Sequence, residues 1–324
     1  MFFSDKSHNL KKLIFLPYTL VILVIAIFLV LVIRLLSPLI VVRSAPLDIA
    51  RIGGYYHSDF YLSEKKCGRY QSKYLDIFYF MKSTQHINHQ WKEMWEREIN
   101  VFIFPKLARF TEKLNERLPG YEKFQIPYSD FMLTRQEYKD YMTGEDLTIY
   151  EKYNKYLKTF LSVSQPNLSF TLEEIKRGNT LLQKLGIPFN TPFICFHNRD
   201  SAFLDTVKSE YDWSYHDFRD SSIEKYLRAA DEMTDRGCYS IRVGSITKEK
   251  VTNSNPKLID YANSEKRSDF LDIYLSARCK FIICSNTGMS FPAEVFKRPL
   301  VYVNWTDLLR LPVYALNGLI IFKK

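Results

Sequence analysis

The chain has 324 residues, of which 46% are apolar and 25% charged, and its formal net charge at pH 7 is +9. This composition is typical of a folded protein, and the length allows one membrane segment and two modest domains. The positive charge favours anionic ligands, but no run of Lys and Arg is dense enough to indicate nucleic-acid binding, and five cysteines without a CxxC pair indicate neither a disulfide framework nor a zinc site.

The first predicted element is an apolar helix near the amino terminus. Leu13–Ile33 is 21 residues long and carries no charge, which is enough for an α-helix to cross a hydrocarbon core of about 30 Å. We therefore predict a tail over residues 1–12 and a single transmembrane anchor over 13–35. Basic residues on both sides leave its orientation open by the positive-inside rule. They are Lys6, Lys11 and Lys12 before the segment, and Arg34, Arg43 and Arg51 after it.

An amino-terminal domain with roughly a strand-then-helix order is predicted over residues 45–185. It opens with a strand candidate, LDIARIGGYY, in which Gly53-Gly54 permits close approach of another backbone or a ligand. Residues 120–167 show no strand pattern and are interpreted as a helical insertion or as acceptor-side structure. Thr171 begins a helix that Gly186 ends. The other elements predicted in this domain are a strand at Tyr74–Phe80 and helices at Trp91–Glu98 and Phe104–Leu118.

Strands and helices alternate regularly from residue 186 to the end, which predicts a parallel sheet with helices on both faces. The predicted strands are Pro192–Phe196, Tyr239–Val243, Lys280–Cys284 and Leu300–Val303. The predicted helices are Ser222–Arg236, Ser268–Ala277 and Phe291–Phe296.

Three of these strands end in polar loops, with the sequences HNRD (197–200), RVGS (242–245) and SNTG (285–288). Because parallel strands share one carboxyl edge, the three loops together predict an anionic ligand lying across it. Arg199 offers a planar fork for phosphate, and His197 could donate to a phosphate or act as a base. Arg219 lies in a fourth polar run that could reach the same cleft. Each loop also has an ordinary interpretation, as helix caps or as a surface loop held by an Arg–Asp pair.

The carboxyl-terminal blocks resemble a family of bacterial glycosyltransferases encoded in surface-polysaccharide gene clusters. The resemblance covers about Pro192–Trp305 and rests on the ordered runs FHNRDSAFLD, YHDFRDSSIEKYLRAADEMTDRGCYSIRVGS, NPKLIDYANSEKRSDFLDIYLSARCKFIICSNTG and FKRPLVYVNW. More distantly, the H-x-R and SNTG blocks are similar to donor-binding motifs of GT-B-type fucosyl- and heptosyltransferases.

The resemblance implies an α/β fold of the GT-B type, with two Rossmann-like domains following the membrane helix and a nucleotide-sugar site in the domain at 186–324. It implies that Glu294 reaches the ribose or sugar, and that His57 or Asp59 is the base that assists the acceptor hydroxyl. The chain has no DxD triplet, so we expect no metal and no cofactor. The residues predicted to bind the donor are His197, Arg199, Asp200, Arg219, Arg242, Gly244, Ser285, Asn286, Thr287, Gly288 and Glu294.

The predicted function is a membrane-anchored, metal-independent glycosyltransferase at the cytoplasmic face of the inner membrane. It would move a sugar from a nucleotide-sugar donor to a cell-surface polysaccharide or lipid-linked glycan. One alternative is a non-catalytic protein that binds sugar nucleotides or glycan in an assembly complex. Another is a luminal, Golgi-type transferase, because sequons occur at Asn167 and Asn304. The chain stops at Lys324, where members of the family would continue, so we expect a truncated carboxyl-terminal domain.

Overall fold

The computed structural model describes residues 4–47, 52–68, 73–80, 88–126, 165–207, 209, 211–306 and 318–323. The insertion predicted over 120–167 therefore lies largely outside the described residues. The described strands form two parallel sheets joined by helices. The strands are β1 (Val41–Leu47), β2 (Tyr74–Phe80), β3 (Val101–Phe102), β4 (Phe193–His197), β5 (Tyr239–Arg242), β6 (Leu258–Ile259), β7 (Ile282–Cys284), β8 (Leu300–Trp305) and β9 (Leu319–Phe322).

The α-helices of the described residues are α1 (Ser4–Leu36), α2 (Tyr56–Lys66), α3 (His89–Glu98), α4 (Pro105–Asn115), α5 (Leu172–Lys184), α6 (Ala202–Val207), α7 (Glu224–Asp235), α8 (Asp269–Arg278) and α9 (Phe291–Val295). Two of them, α2 and α6, were not predicted. Single 3₁₀ turns occur at Ile52–Tyr55, Tyr121–Phe124, Ser214–Arg219, Tyr261–Asn263 and Gly288–Ser290.

The first sheet has the order β1-β2-β3, and its strands with their helices form the amino-terminal unit, residues 41–126. Its first strand is Val41–Leu47, so the strand predicted over LDIARIGGYY is wrong in position: Leu47 of that run lies in β1, Ile52–Tyr55 is a 3₁₀ turn, and residues 48–51 lie outside the described residues. The sequence pattern does not indicate β1, because one of the buried positions of this strand is a charged residue, Arg43. Its guanidinium forms a buried ion pair with Asp76, its partner in register on β2, with N–O distances of 2.6 and 3.0 Å.

The second sheet confirms the predicted parallel sheet and organises the carboxyl-terminal unit, residues 193–306 and 318–323. Its strand order is β6-β5-β4-β7-β8-β9, and every neighbouring pair is parallel. Numbered within the sheet, this is the doubly wound order 3-2-1-4-5-6, in which the chain changes direction between β4 and β7. The edge strands β6 and β9 are two and four residues long and were not predicted.

Helix α8 joins the two units. Its residues Phe270–Ala277 are all buried, because α3, α5 and α9 pack around it. At its amino-terminal end Asn88, the N-cap of α3, donates to the Asp269 carbonyl at 3.0 Å. The Trp91 ring meets that of Phe291 edge-on, with 6.0 Å between centroids. The apolar core is therefore continuous between the units at this point.

Predicted helix boundaries are confirmed where capping chemistry defines them. The Thr171 hydroxyl and the Glu174 carboxylate form a reciprocal capping box at the start of α5. Gly186 ends that region with φ +90°, a left-handed conformation that suits glycine. Of the five cysteines, Cys67 is exposed and the others, Cys195, Cys238, Cys279 and Cys284, are buried.

Helix α5 packs closely on α8 at Gly178. A Cβ atom at residue 178 would overlap the ring of Tyr274, which is fully buried. Alanine is the better helix former by about 1 kcal/mol, but overpacking a core costs roughly 1–3 kcal/mol. We expect Gly178→Ala to lower the free energy of unfolding, measured by urea denaturation of the full chain in detergent.

The matched control is Lys176→Ala, an exposed position on the same helix, for which we expect a change within about 0.5 kcal/mol. A Gly178→Ala variant as stable as the wild type would show that α5 and α8 are not packed this closely.

Candidate functional site

The three polar loops predicted from the sequence meet at one edge of the second sheet. β5, β4 and β7 are neighbours, so their carboxyl ends lie side by side at the point where the chain changes direction. Hydrogen bonds join the loops to one another: His197 Nδ1 to the Val243 carbonyl at 2.9 Å, the Arg199 amide to Ser285 Oγ at 2.9 Å, and the Lys248 amide to Asp200 Oδ2 at 3.0 Å. In doubly wound sheets this crevice is where ligands bind.

His197 is held as a neutral acceptor. Because a carbonyl oxygen can only accept, Nδ1 carries the proton in the bond to Val243, and Nε2 is left with a lone pair. Burial lowers the pKa of His197 from 6.5 to about 4, against the opposing effects of the Val243 carbonyl and Asp200. The predicted donation from His197 to a phosphate therefore does not fit this tautomer. Nε2 is instead suited to accept a hydrogen bond from a hydroxyl group.

The 3₁₀ turn Ser214–Arg219 brings the charge of Arg219 close to Arg199. The Arg199 side chain is buried, donates from Nη1 to the His216 carbonyl at 3.0 Å and forms an ion pair with Asp220. Burial lowers the pKa of Arg199, and the nearby positive charge of Arg219 lowers it further. The turn therefore places two guanidinium groups close together beside the loop after β4.

Arg242, predicted to contact an anion, is instead fully enclosed. Its exposed surface is zero, and it lies against the Glu249 carbonyl at 2.6 Å, the Asp260 carboxylate at 3.6 Å and Asn198 Oδ1 at 3.4 Å. The side chain of this last residue of β5 points into the protein, so it holds loops together. Gly244, two residues after Arg242, adopts φ +150°. A Cβ atom at residue 244 would lie 3.4 Å from His197 Nδ1.

Two acidic residues predicted to contact the donor are engaged in internal bonds. Asp200 accepts from the amides of Ala202 and Lys248, at 3.1 and 3.0 Å, which ties the loop after β4 to the loop after β5. Glu294 Oε1 accepts from the hydroxyls of Ser290 and Tyr302, each at 2.6 Å, which ties α9 to β8. Burial raises the pKa of Tyr302, and the Glu294 carboxylate raises it further.

The turn after β7 presents its middle residues outward. Ser285 is fully buried, whereas Asn286 and Thr287 are half-buried and Gly288 is exposed. Thr287 Oγ1 accepts from the Met289 amide at 3.0 Å and caps the following 3₁₀ turn. Within the part of the chain that the structure describes, the Asn286 side chain makes no hydrogen bond. Its amide is therefore available to a ligand.

The amino-terminal unit touches this turn through a pair of glycines. A Cβ at Gly53 would lie 3.7 Å from Gly288 Cα, and one at Gly288 would lie 3.6 Å from the Gly53 nitrogen. The close backbone approach predicted for Gly53 is thus confirmed, and its neighbour is the turn after β7.

Asp59, predicted as a base, is buried just beyond this contact. Its Oδ1 accepts from Asn167 Nδ2 at 2.9 Å, and Lys297 Nζ lies 3.9 Å from its Oδ2. Burial raises the pKa of Asp59, with Lys297, Asn167 and Lys66 acting in the opposite direction. The side chain of His57, the other predicted base, lies outside the described residues.

Sequence reasoning missed Lys297 and Asn167 as neighbours of the candidate base. Lys297 adopts φ +55° two residues after α9, and its ammonium lies 3.9 Å from Asp59 in the amino-terminal unit. The Lys-Arg-Pro run at 297–299 indicates the end of a helix, but no sequence pattern indicates its partner. Asn167 comes from a different segment and also donates to Ser63 Oγ at 2.6 Å.

The described residues contain no group of three or more His, Cys, Asp or Glu side chains that could hold a metal ion. The sequence also contains no DxD triplet.

Among the comparisons with known proteins, the one with solved structures finds similarity. No family model and no curated protein matches the chain. The chain is similar to the ADP-heptose LPS heptosyltransferase II of E. coli, with 13% identity, a TM-score of 0.49 and coverage of 86% of this chain and 90% of that one. It is also similar to a family 9 glycosyl transferase from Veillonella parvula, with 10% identity, a TM-score of 0.48 and coverage of 87% and 85%.

A third similar structure is E. coli heptosyltransferase WaaC with ADP, at 11% identity and a TM-score of 0.38, covering 86% of this chain and 93% of that one. Each of these matches is a similarity of structure. At these identities and TM-scores it assigns neither a family nor an activity to the chain.

The state of His197 predicts a pH dependence of stability. The unfolded chain binds a proton at this residue below about pH 6.5, whereas the folded chain resists protonation until about pH 4. Lowering the pH from 7.5 to 5 should therefore destabilise the fold through this residue by about 2 kcal/mol. His197→Asn keeps a donor for the Val243 carbonyl and should remove that part of the loss in urea unfolding.

His89→Gln, which replaces an exposed histidine, is the control and should lose as much stability as the wild type over this pH range. If His197→Asn loses as much stability between pH 7.5 and 5 as the wild type does, the folded protein does not resist protonation of the His197 ring over this range.

Proposed function

We propose that this protein is a glycosyltransferase of the GT-B type that transfers a sugar from a nucleotide-sugar donor to a surface polysaccharide or lipid-linked glycan. The observation that carries the proposal is the meeting of three loops at the switch point of a 3-2-1-4-5-6 sheet, with the Gly53 turn of the other unit against them. A ligand at this edge lies between two α/β units. The sequence blocks that resemble glycosyltransferases contain those same loops.

The donor would be held by groups at this edge of the sheet. The Asn286 amide can donate to a phosphate oxygen, and the Arg199–Arg219 pair supplies positive charge beside it. His197 Nε2 can accept from a sugar or ribose hydroxyl. Arg242, Asp200 and Ser285 would act indirectly, by holding the loops at a fixed separation.

Catalysis would stabilise the departing nucleotide diphosphate while a base assists the acceptor hydroxyl. We propose Asp59 as that base, with His57 as the other candidate. Its raised pKa makes Asp59 a better proton acceptor than an exposed carboxylate. Lys297 opposes this rise in pKa. Because the sequence offers no DxD triplet for a metal–diphosphate, we propose that neither a metal nor a cofactor takes part.

We propose attachment to the cytoplasmic face of the inner membrane, where donors are made, through the apolar helix α1. Two observations favour this site over a luminal one. Asn167 of the first sequon is buried and donates to Asp59 and Ser63, so a glycan on it would disrupt the fold. Asn304 of the second sequon is half-buried and donates to the Tyr226 hydroxyl at 3.4 Å.

Donor binding is tested by thermal shift and turnover of the full chain in detergent with GDP-, UDP-, ADP-, dTDP- and CMP-sugars. We expect one nucleotide to raise the Tm selectively. Asn286→Ala should weaken that donor about tenfold or more, since a hydrogen bond to a charged group is worth about 1.5–3 kcal/mol. The Tm without ligand should stay unchanged, because the side chain makes no hydrogen bond with the described residues.

Gln183→Ala, which removes an exposed amide on α5, should leave donor binding intact. If a folded sample is stabilised by none of the five donors, the donor site proposed here is wrong. Selective stabilisation without turnover would favour the non-catalytic alternative.

The role of Asp59 is tested by Asp59→Asn, which keeps the shape of the side chain and removes its basicity. We expect kcat to fall by about 10²–10⁴, while the Tm shift given by the donor is retained. Glu173→Gln neutralises an exposed carboxylate and should change neither quantity. Wild-type kcat in Asp59→Asn, with loss of activity in His57→Gln, would transfer the role to His57.

A further inference from the structure

The apolar helix α1 is bound to the amino-terminal unit at two distant points. Near the start of its apolar segment Pro17–Leu36, the Lys106 ammonium of α4 lies 5.3 Å from the centre of the Tyr18 ring. Near its end, Arg34 Nε donates to Asn115 Oδ1 at 2.6 Å. Its Nη atoms donate to carbonyls at the end of α4, at 3.0–3.3 Å, and these belong to Asn115, Leu118 and Pro119.

These contacts fix the direction of α1. The two points are sixteen residues apart on one helix, or about 24 Å, which is most of a hydrocarbon core of about 30 Å. Helix α4, about 16 Å long, therefore lies beside about half of the apolar segment, Pro17–Leu36, which has a mean hydropathy of 3.2.

Two faces of α1 can be distinguished from residue 17 onward. One face is buried against the unit and consists of Ile22, Ala26 and Val30, each no more than 9% exposed. The opposite face is entirely apolar and 42–81% exposed. It consists of Val21, Val24, Ile25, Phe28, Leu31 and Leu35, which we call the outer stripe.

An upright position of α1 in a bilayer conflicts with this packing. It would carry α4 into the hydrocarbon beside it, together with the exposed cations Lys106, Arg109 and Lys113. Charged side chains are strongly disfavoured at that depth. A position in the plane of the membrane avoids this conflict, because the outer stripe enters the acyl region while the cations of α4 stay at the level of the headgroups.

We propose that α1 lies in the plane of the membrane and embeds its outer stripe in one leaflet of an anionic bilayer, instead of crossing the bilayer as a single-pass anchor. The occupant of the stripe is lipid. The amino-terminal unit then rests directly on the membrane surface, with the interval between α1 and β1 limited to residues 37–40. This inference rests on the membrane attachment proposed above and specifies its geometry.

The test measures the depth of three outer-stripe positions with the full chain in vesicles of phosphatidylcholine and phosphatidylglycerol. Val21→Trp, Phe28→Trp and Leu35→Trp are compared in lipids brominated at shallow or deep acyl positions. We expect the three tryptophans to be quenched equally, and more by shallow than by deep bromines. Phe189→Trp, an exposed position in the loop that precedes β4, is the control and should not be quenched.

Strongest quenching of Phe28→Trp by deep bromines, with shallow values at both flanking positions, would show an upright span and overturn the proposal. No quenching at any of the three would show that protein, such as a second copy of the chain, covers the stripe. Turnover of the same variants in detergent reports on the enzyme separately, so that a failure of the membrane geometry is distinguishable from a failure of the proposed activity.

Discussion

The buried guanidinium of Arg242 is the constraint on which the candidate site depends. A charge without exposed surface is costly unless it is paired, and the partners of this one come from three segments: Glu249, Asn198 and Asp260. The loops after β4 and β5 are therefore held at one separation by the need to neutralise one charge. Residues further out, such as His197, take their positions from that arrangement. The edge of the sheet is ordered by a side chain that no ligand can reach.

The second determinant is the junction between the two units. Gly53 and Gly288 bring two backbones together, and Lys297 reaches across to Asp59 in the other unit. The packing of Trp91 on Phe291 continues the apolar core through the same region. The candidate base and the turn after β7 are consequently positioned by one set of contacts. A change in the packing of α9 would move both sides of the proposed cleft at once.

Much of the second sheet could be predicted from the sequence, because its strands are short apolar runs ended by glycine, serine or asparagine. The meeting of its loops followed from parallel topology alone. The burial of Arg242 could not be predicted, since a strand-end arginine looks the same whether it points inward or outward. β1 was misplaced because Arg43 occupies one of its buried positions, paired with Asp76 from a distant strand. Contacts such as Lys297 with Asp59 depend on the arrangement of the two units, which no local pattern encodes.

The distribution of the cysteines has a consequence for chemical modification. Thiols react as thiolates, and burial raises the pKa of Cys195 and Cys284 well above the usual value. Cys67 is the exposed one, at the end of α2, while the other four lie inside the carboxyl-terminal unit. A maleimide at neutral pH therefore has one target in the folded chain and gains up to four more when this unit opens. The number of labels per chain thus counts local opening of the sheet that carries the candidate site.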